Sequence, residues 1–286
     1  MDIALARTFL QIVETGSFLG AAQRLNLSQS TISMRVKELE SQLGQALFER
    51  SKAGATLTAA GARFFPHAST MVRAWRQANQ EVGLSTRFKA VLAVGGQFSL
   101  WDRLLLRWLG DFRRTQPDVA VRAEVGQPDG LMRMISEGLL DIGVMYNPQR
   151  RPNLDVEELI DETLVQVTTA PAPVARLGPD YIFVDWGPDF QTEHATAFPE
   201  LEAPGTVMSL GAIGLSYILE NGGSGYFPER VVRPLIDAGT LRMVSAAPVF
   251  HRPAYVVHRR FEDGDPGHVA LAGLRAVARR ESVAAA

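Results

Sequence analysis

The run Ser28-Gln29-Ser30-Thr31, followed by Ser33, Arg35 and Lys37, places seven hydrogen-bonding side chains within ten positions. Ile32, Val36, Leu39 and Leu43 recur through it at i, i+4, i+7 and i+11, the period of a helix with one apolar face. The polar set then lies on the other face, near the helix start. A glutamine there can read adenine with two hydrogen bonds in the major groove, and serines can bond bases or phosphates. Arg35 and Lys37, with Arg50 and Lys52 further on, suit phosphate oxygens, contacts that set affinity and register rather than sequence preference. Ser28 also stands where a helix N-cap belongs, a role compatible with DNA contact.

Catalytic patterns are thin by comparison. The chain has no cysteine, which excludes a disulfide framework, a thiolate zinc site, an iron–sulfur cluster and a cysteine nucleophile. His67, His194, His251, His258 and His268 are scattered, with no metalloprotease pairing. There is no Gly-x-Ser-x-Gly elbow and no Walker loop, and Gly95-Gly96 and Gly222-Gly223-Ser224-Gly225 are too short for a dinucleotide fingerprint. Asp185 and His194 could form an acid–base pair, but spacing alone supports that weakly, and a sensor without catalysis is the preferred reading. No enzyme activity, metal or cofactor is expected.

Charge is divided unevenly. The 286 residues carry a net charge of −2, yet residues 1–65 hold seven basic groups against five acidic ones. A mildly basic head therefore precedes a mildly acidic body, and the whole-chain sum hides the difference. With 46% hydrophobic residues the chain can bury a substantial core. It contains no run of 18 apolar residues, and Met1-Asp2-Ile3 lacks the basic start of an export signal, so the expected location is the cytoplasm.

The elements that must position these groups follow from periodicity. Leu5, Phe9, Leu10, Ile12 and Val13 form a first helix, stopped at Thr15-Gly16; Ser17 caps a second over Phe18 to Leu25. The third runs from Gln29 to about Leu43, with Gly44 as its left-handed cap. Two helices joined by so short a turn make a helix-turn-helix. Leu47 to Thr58 suits a two-stranded wing, and a long helix continues to about Leu84. Along it Phe65, Val72, Trp75, Asn79 and Val82 mark a heptad seam, read as a dimerisation face with Asn79 fixing register. An ordinary amphipathic helix packed on its own domain would show the same stripe. Beyond Lys89 strands and helices alternate: strands at Val91–Val94, Val119–Val125 and Asp141–Met145, with helices at Leu100–Thr115 and Leu131–Glu137, as in a parallel sheet covered on both faces. Strands at Leu164–Thr168, Tyr181–Asp185, Thr206–Met208 and Ala254–His258 follow, with helices from about Ser209 to Glu220 and Pro266 to Arg280. Pro and Gly cluster densely between 171 and 188, so loop content is high there, and Trp186, Phe190 and His194 lie on the loop after the Tyr181–Asp185 strand.

The motif Phe9-Leu10, Gly16-Ser17-Phe18, Ala21-Ala22, Leu25, Ser28-Gln29-Ser30, Ile32-Ser33, Val36, Leu39-Glu40, Leu43-Gly44, Leu47-Phe48-Glu49-Arg50, Leu57-Thr58 and Ala60-Gly61 closely resembles the LysR-type transcriptional regulators. Gly138-Leu139-Leu140-Asp141-Ile142-Gly143 resembles the family's Gly-x-Leu-Asp strand entry. Asn221 to Pro228 resembles its Gly-x-Gly-x-x-x-Pro element, with Phe227 where leucine is usual. The resemblance spans the chain and is most specific over its first 60 or so residues. It implies a winged helix-turn-helix DNA-binding domain (1–58), a linker helix that pairs subunits (59–87) and an α/β effector-binding domain (88–286) shaped like a periplasmic binding protein. Its lobe I would cover about 90–160 and 250–286, and its lobe II about 161–249. Between Thr168 and Asp180 the sequence departs from the family: Ala170-Pro171-Ala172-Pro173 replaces a His-Pro-Leu turn, and the helix after it is expected to be missing.

In such sheets ligands sit at the carboxyl ends of strands, beside helix N-termini that favour anions. Gln97, Phe98 and Ser99 close the first strand, while Ser209 and Leu210 open the helix of the second lobe. Gln127 and Tyr146 close two further strands, and Trp186 and His194 would complete the walls. A core anchor is the alternative role for Trp186, and an N-cap for Ser99. The expected protein is a sequence-specific DNA-binding regulator acting on a pseudo-palindromic operator. It would be a homodimer or dimer of dimers, modulated by a small anionic or aromatic effector in the inter-lobe cleft.

Overall fold

In the computed structural model residues 2–51, 54–82, 87–151, 153–172, 177–201 and 204–285 are described. By contacts the chain divides into two compact units: Met1–Ala93 with Asp118–Arg122 and Arg133–Asp141, and Val94–Pro117 with Ala123–Met132 and Ile142–Ala286.

The first unit begins with three helices: α1 (Ile3–Thr15), α2 (Phe18–Leu25) and α3 (Gln29–Leu43). Each start is capped by a side chain that accepts from a free backbone N–H: Asp2 from Ala4, Ser17 from Gly20, and Ser28 from Thr31. Each end turns through a left-handed residue, Gly16, Asn26 and Gly44. The wing follows as β1 (Phe48–Ser51) and β2 (Gly54–Leu57), antiparallel and in register from Phe48 with Leu57 to Ser51 with Gly54. Its second strand is pinned by Ala55 N–H donating to the Gly16 carbonyl at 2.8 Å. Phe9 sits at the centre of this head, its ring 5.1 Å from both Phe48 and Phe64. Leu43, expected to face inward, is 41% exposed. The helix ends one residue later at Gly44, so its last turn passes beyond the core.

Thr58 caps α4 (Ala59–Val82), accepting from Gly61 N–H while donating to the Ala46 carbonyl. Ala68 and Val72 are buried in the head's own core, and Phe65 packs against it. The first half of the seam therefore packs within the chain. Trp75 is 52% and Val82 89% exposed, and Asn79 is exposed as well.

Beyond the linker come β3 (Ala90–Gly96), α5 (Phe98–Leu100), a π-helical turn (Trp101–Leu105), α6 (Leu106–Thr115), β4 (Val119–Val125), α7 (Pro128–Ser136) and β5 (Ile142–Tyr146). The uninterrupted helix expected over 100–115 is broken. Asp102 has ψ 121° and Arg103 φ 63°, which turns the peptide between them out of the helical direction. β6 (Leu154–Thr168) is fifteen residues long, not five. Acidic residues in its first half hide the alternation that marks a strand. β7 (Ile182–Val184), α8 (Pro188–Ala197), β8 (Thr206–Met208), α9 (Gly211–Asn221), β9 (Ser224–Pro228), α10 (Glu229–Asp237), β10 (Arg242–Met243), β11 (Phe250–Arg259) and α11 (Pro266–Ala285) complete the chain. Where a loop was expected after Trp186 there is α8, because Pro188 at its first position starts a helix rather than breaking one. The helix expected to be missing after Pro173 lies partly outside the described residues, which omit 173–176.

One sheet has the order β10-β6-β11-β5-β3-β4, with β9 also paired to β6, and β7 and β8 form a second, parallel pair. The long strands β6 and β11 run antiparallel to each other over most of their length, with a register shift between Ala254 and Tyr255. Every residue of β5 is buried, as expected of a central strand. A separate apolar core gathers Leu164, Tyr181, Trp186, Phe190, Tyr226 and Phe250.

Candidate functional site

On α3 the buried residues Ile32, Val36 and Leu39 leave one face outward. Ser28, Gln29, Ser30 and Lys37 are exposed on it, and Thr31, Ser33 and Arg35 are partly so. The N-cap is a small network: Ser28 Oγ accepts from Thr31 N–H at 3.1 Å and lies 2.8 Å from both Ser30 Oγ and Thr31 Oγ1. These hydroxyls are held in place at the helix start, leaving Gln29 free. Arg35 differs from its neighbours. Its Nη1 donates to Thr8 Oγ1 of α1 at 3.3 Å, which ties α3 to the first helix. Arg50 belongs to β1 of the wing, and Lys52 lies outside the described residues.

Two residues of this face escaped the sequence reading. Met34, 64% exposed, sits one turn beyond Ser30 and one before Lys37. An apolar side chain there offers contact to a thymine methyl. The i+4 spacing from Ser30 was the available signal, obscured because methionine is more often a core residue. Glu40 sets the entry to the wing: its Oε1 accepts from Leu47 N–H at 2.8 Å and Phe48 N–H at 3.4 Å. Gly61 adds a close packing point, since a Cβ there would lie 2.2 Å from the Leu47 carbonyl oxygen.

In the second unit Phe98, Ser99, Trp186, Gly211, Phe227 and Val231 surround a cavity of about 20 Å³, room for roughly one water. Trp186 is wedged into it. Its Nε1 donates to the Tyr226 carbonyl at 2.9 Å, and a Cβ at Gly211 would overlap its ring at 2.2 Å. Gln97 points elsewhere: its Oε1 accepts from Tyr146 N–H at 2.7 Å, fastening the end of β3 to the end of β5. Ser99 is the second residue of α5, and the N-cap position falls to Gln97, whose side chain makes no capping bond. Gln127 and Ser209 are exposed, and Leu210 precedes α9; none of the three lines the cavity. His194 lies on α8 inside an apolar core, 3% exposed, with Nε2 2.8 Å from the Tyr181 hydroxyl. Burial lowers its pKa to about 4, so the ring is neutral. Aromatic neighbours on several strands, invisible in a linear reading, draw it inward.

Beside the cavity lies a charged cluster that spacing did not reveal. Glu162 of β6 is fully buried; it receives Arg230 Nε on one oxygen and the Tyr146 hydroxyl on the other. Arg230, from α10, also donates to the Asp102 and Ser99 carbonyls at 2.9 Å each. The turned-out peptide at Asp102–Arg103 thus has a partner. Burial and the Glu162 charge push the Tyr146 hydroxyl pKa well above the usual range. No local pattern pointed to Glu162, because a charged residue at an inward position reads against the alternation that marks a strand.

A capped, outward-facing third helix, a two-stranded wing and an α/β domain with a small cavity beside Trp186 have the layout of a winged helix-turn-helix DNA binder joined to a ligand-sensing domain. Comparison with known proteins agrees. The model described as "Bacterial regulatory helix-turn-helix protein, lysR family" matches residues 3–62, and "LysR substrate binding domain" matches residues 85–279. The HTH-type transcriptional regulator HdfR of Escherichia coli O17:K52:H18 (strain UMN026 / ExPEC) is 30% identical over 260 residues, 90% of this chain and 91% of its own. Among solved structures, full-length LysG from Corynebacterium glutamicum with bound effector Arg matches with a TM-score of 0.60 at 20% identity, over 98% of this chain and 99% of that one. ArgP from Mycobacterium tuberculosis matches with a TM-score of 0.58 at 20% identity, over 96% of each chain. The chain belongs to the LysR family and is a DNA-binding transcriptional regulator with an effector-binding domain. Among the described residues no helix is long and apolar enough to cross a membrane.

Proposed function

We propose that the chain reads a pseudo-palindromic operator as a dimer or dimer of dimers. A small anionic or aromatic effector in the cleft beside Trp186 would shift the geometry in which the paired heads are presented. The observation that carries the reading is the outward face of α3, where Gln29, Met34 and Lys37 are exposed while Ser28 caps the helix behind them and holds the exposed Ser30 hydroxyl. Gln29 and Met34 read base edges, and Lys37, Arg50 and Lys52 hold phosphates. Trp75, Asn79 and Val82, exposed along the last turns of α4, pair subunits. An effector that binds one lobe geometry better than the other shifts the population by that differential affinity.

Genomic footprinting of bound sites tests the reading: it expects discrete sites with two related half-sites, and binding without sequence preference would refute it. A second reading, a DNA binder that needs no ligand, is favoured by the small size of the cavity. Thermal unfolding separates the two. An effector-gated regulator gains stability as the logarithm of effector concentration, whereas the ligand-independent protein shows no shift with any metabolite.

A further inference from the structure

Arg252 is the third residue of β11 and the cross-strand neighbour of Glu162. The Glu162 carboxylate is already committed, to Arg230 and to the Tyr146 hydroxyl. Two guanidinium groups therefore share one carboxylate in this mostly buried cluster. Arg252 makes no ion pair among the described residues. Asp185 is the other carboxylate whose field reaches it, and the Asp185 Oδ1 accepts from Gly187 N–H and from Gln191 Nε2, both at 2.9 Å. Desolvation lowers the Arg252 pKa, yet an arginine side chain stays charged in proteins.

The faces and the edge of that guanidinium meet different surroundings. Its Cζ stands 3.4 Å from the centroid of the Tyr146 ring and 5.4 Å from that of Trp186. Aromatic rings stabilise the face of a cation, but they give nothing to its in-plane N–H donors. Those donors form a rigid fork that matches a carboxylate with two parallel hydrogen bonds. A side-chain hydrogen bond with Tyr146 and the field of Glu162 also favour the charged form, but no carboxylate is paired with Arg252 alone; an incoming anion would supply one to this largely desolvated cation. Trp186 connects this fork with the cavity, whose other walls include the apolar Phe98, Leu215, Phe227 and Val231. Phe98 is 44% exposed, so the apolar side lies near solvent. Gly187, at φ 110°, leaves room next to Arg252: a Cβ there would lie 3.9 Å from Nη2.

We propose that Arg252 is the anion-recognising residue of the effector cleft, and that the effector is a small monocarboxylic acid with an apolar body packed against Trp186. This inference rests on the reading of the cleft as the effector site. It goes further by assigning the charged end of the ligand to a residue on the strand that pairs with both β5 and β6.

The test titrates the full chain with phenylacetate and hexanoate, and with phenylacetamide and hexanamide as neutral counterparts, following calorimetric heats and tryptophan fluorescence. At least one acid should bind and alter the emission, its amide should fail, and Trp186→Phe should remove the optical change. Arg252→Met should weaken the acid at least tenfold, with Arg252→Lys between it and the original. Because no carboxylate is orphaned by the change, Arg252→Met should also melt no lower than the unmodified protein. Equal acid binding by Arg252→Met, a lowered melting temperature for it, or no acid binding by the unmodified chain overturns the proposal. Should only the amides bind, and do so through Trp186, the effector-cleft reading stands while Arg252 loses its role. Operator binding, assayed without ligand, reports separately on the regulator itself.

Discussion

Arg230 and Glu162 form a buried ion pair whose guanidinium also reaches two backbone carbonyls, those of Ser99 and Asp102. One side chain from α10 thus reaches the α5 segment and neutralises the buried Glu162 carboxylate.

Removing one partner should cost far more than removing both. Arg230→Met takes from the buried Glu162 the only cation hydrogen-bonded to it among the described residues and should lower stability by about 3–5 kcal/mol. The double change Arg230→Met with Glu162→Leu should recover most of that loss. Urea denaturation of the three proteins checks it; a single variant no less stable than the double would contradict the ion pair as described.

The neutral His194 makes stability depend on pH. Its folded-state pKa of about 4 lies below the value of about 6.5 expected for the unfolded chain. As pH falls through that window the unfolded chain takes up the proton first, so stability is fully present above about pH 6.5 and declines toward about pH 4. The loss should approach about 3 kcal/mol, since each pKa unit is worth about 1.4 kcal/mol. His194→Phe should flatten this part of the profile, and an unchanged slope in that variant would remove His194 as its source.

On the recognition helix, base contacts and phosphate contacts should separate experimentally. Gln29→Ala should relax preference at one operator position by about 1–3 kcal/mol, whereas Lys37→Ala should weaken all sequences alike and lower the salt slope by about 1. Binding titrations over a set of single-base operator variants at several salt concentrations distinguish them. Identical behaviour of the two variants would undo the assignment of roles.

Glu40 governs the wing through two backbone N–H groups of the turn into β1. Glu40→Ala leaves both without their acceptor and should cost about 1–3 kcal/mol of stability. Glu40→Gln keeps an acceptor oxygen and should lose less. If the two variants melt alike, the side-chain acceptor contributes nothing.

The linker helix divides between two jobs at Val72. Val72→Asp should unfold the head, because that side chain is 2% exposed within its core. Trp75→Asp, at a position 52% exposed, should leave thermal stability of the monomer unchanged and weaken subunit association. Analytical ultracentrifugation beside circular dichroism reads both effects, and an unchanged association constant for Trp75→Asp would remove this face from the interface.

The head is largely legible in its amino-acid order. Ser17 and Ser28 as caps, Gly16 and Gly44 as ends, and the Ile32–Val36–Leu39 stripe are local signals, and local signals survive in a linear reading. Heptad spacing, by contrast, could not tell Val72, buried by its own head, from Trp75, which is exposed, because the same period serves both kinds of packing. In the second unit the strands with pure apolar patterns were readable, such as β5, while β6 was not. Its acidic half gains its partners from β11 and from residues distant in sequence, among them Arg230 and Arg275 of two helices.

The amino-acid order alone determined the class of protein, because capping residues, helical period and the family motif all act within a few turns of chain. Which side chains surround the cleft was decided by tertiary structure. His194, read as a wall, is drawn into a core by rings that include those of Phe183, Tyr226 and Phe250 from three strands, whereas Arg230, Glu162 and Arg252, which carry no local motif, converge from one helix and two strands. Burial and pairing of charge are properties of groups far apart in sequence, and only the folded chain brings them within reach.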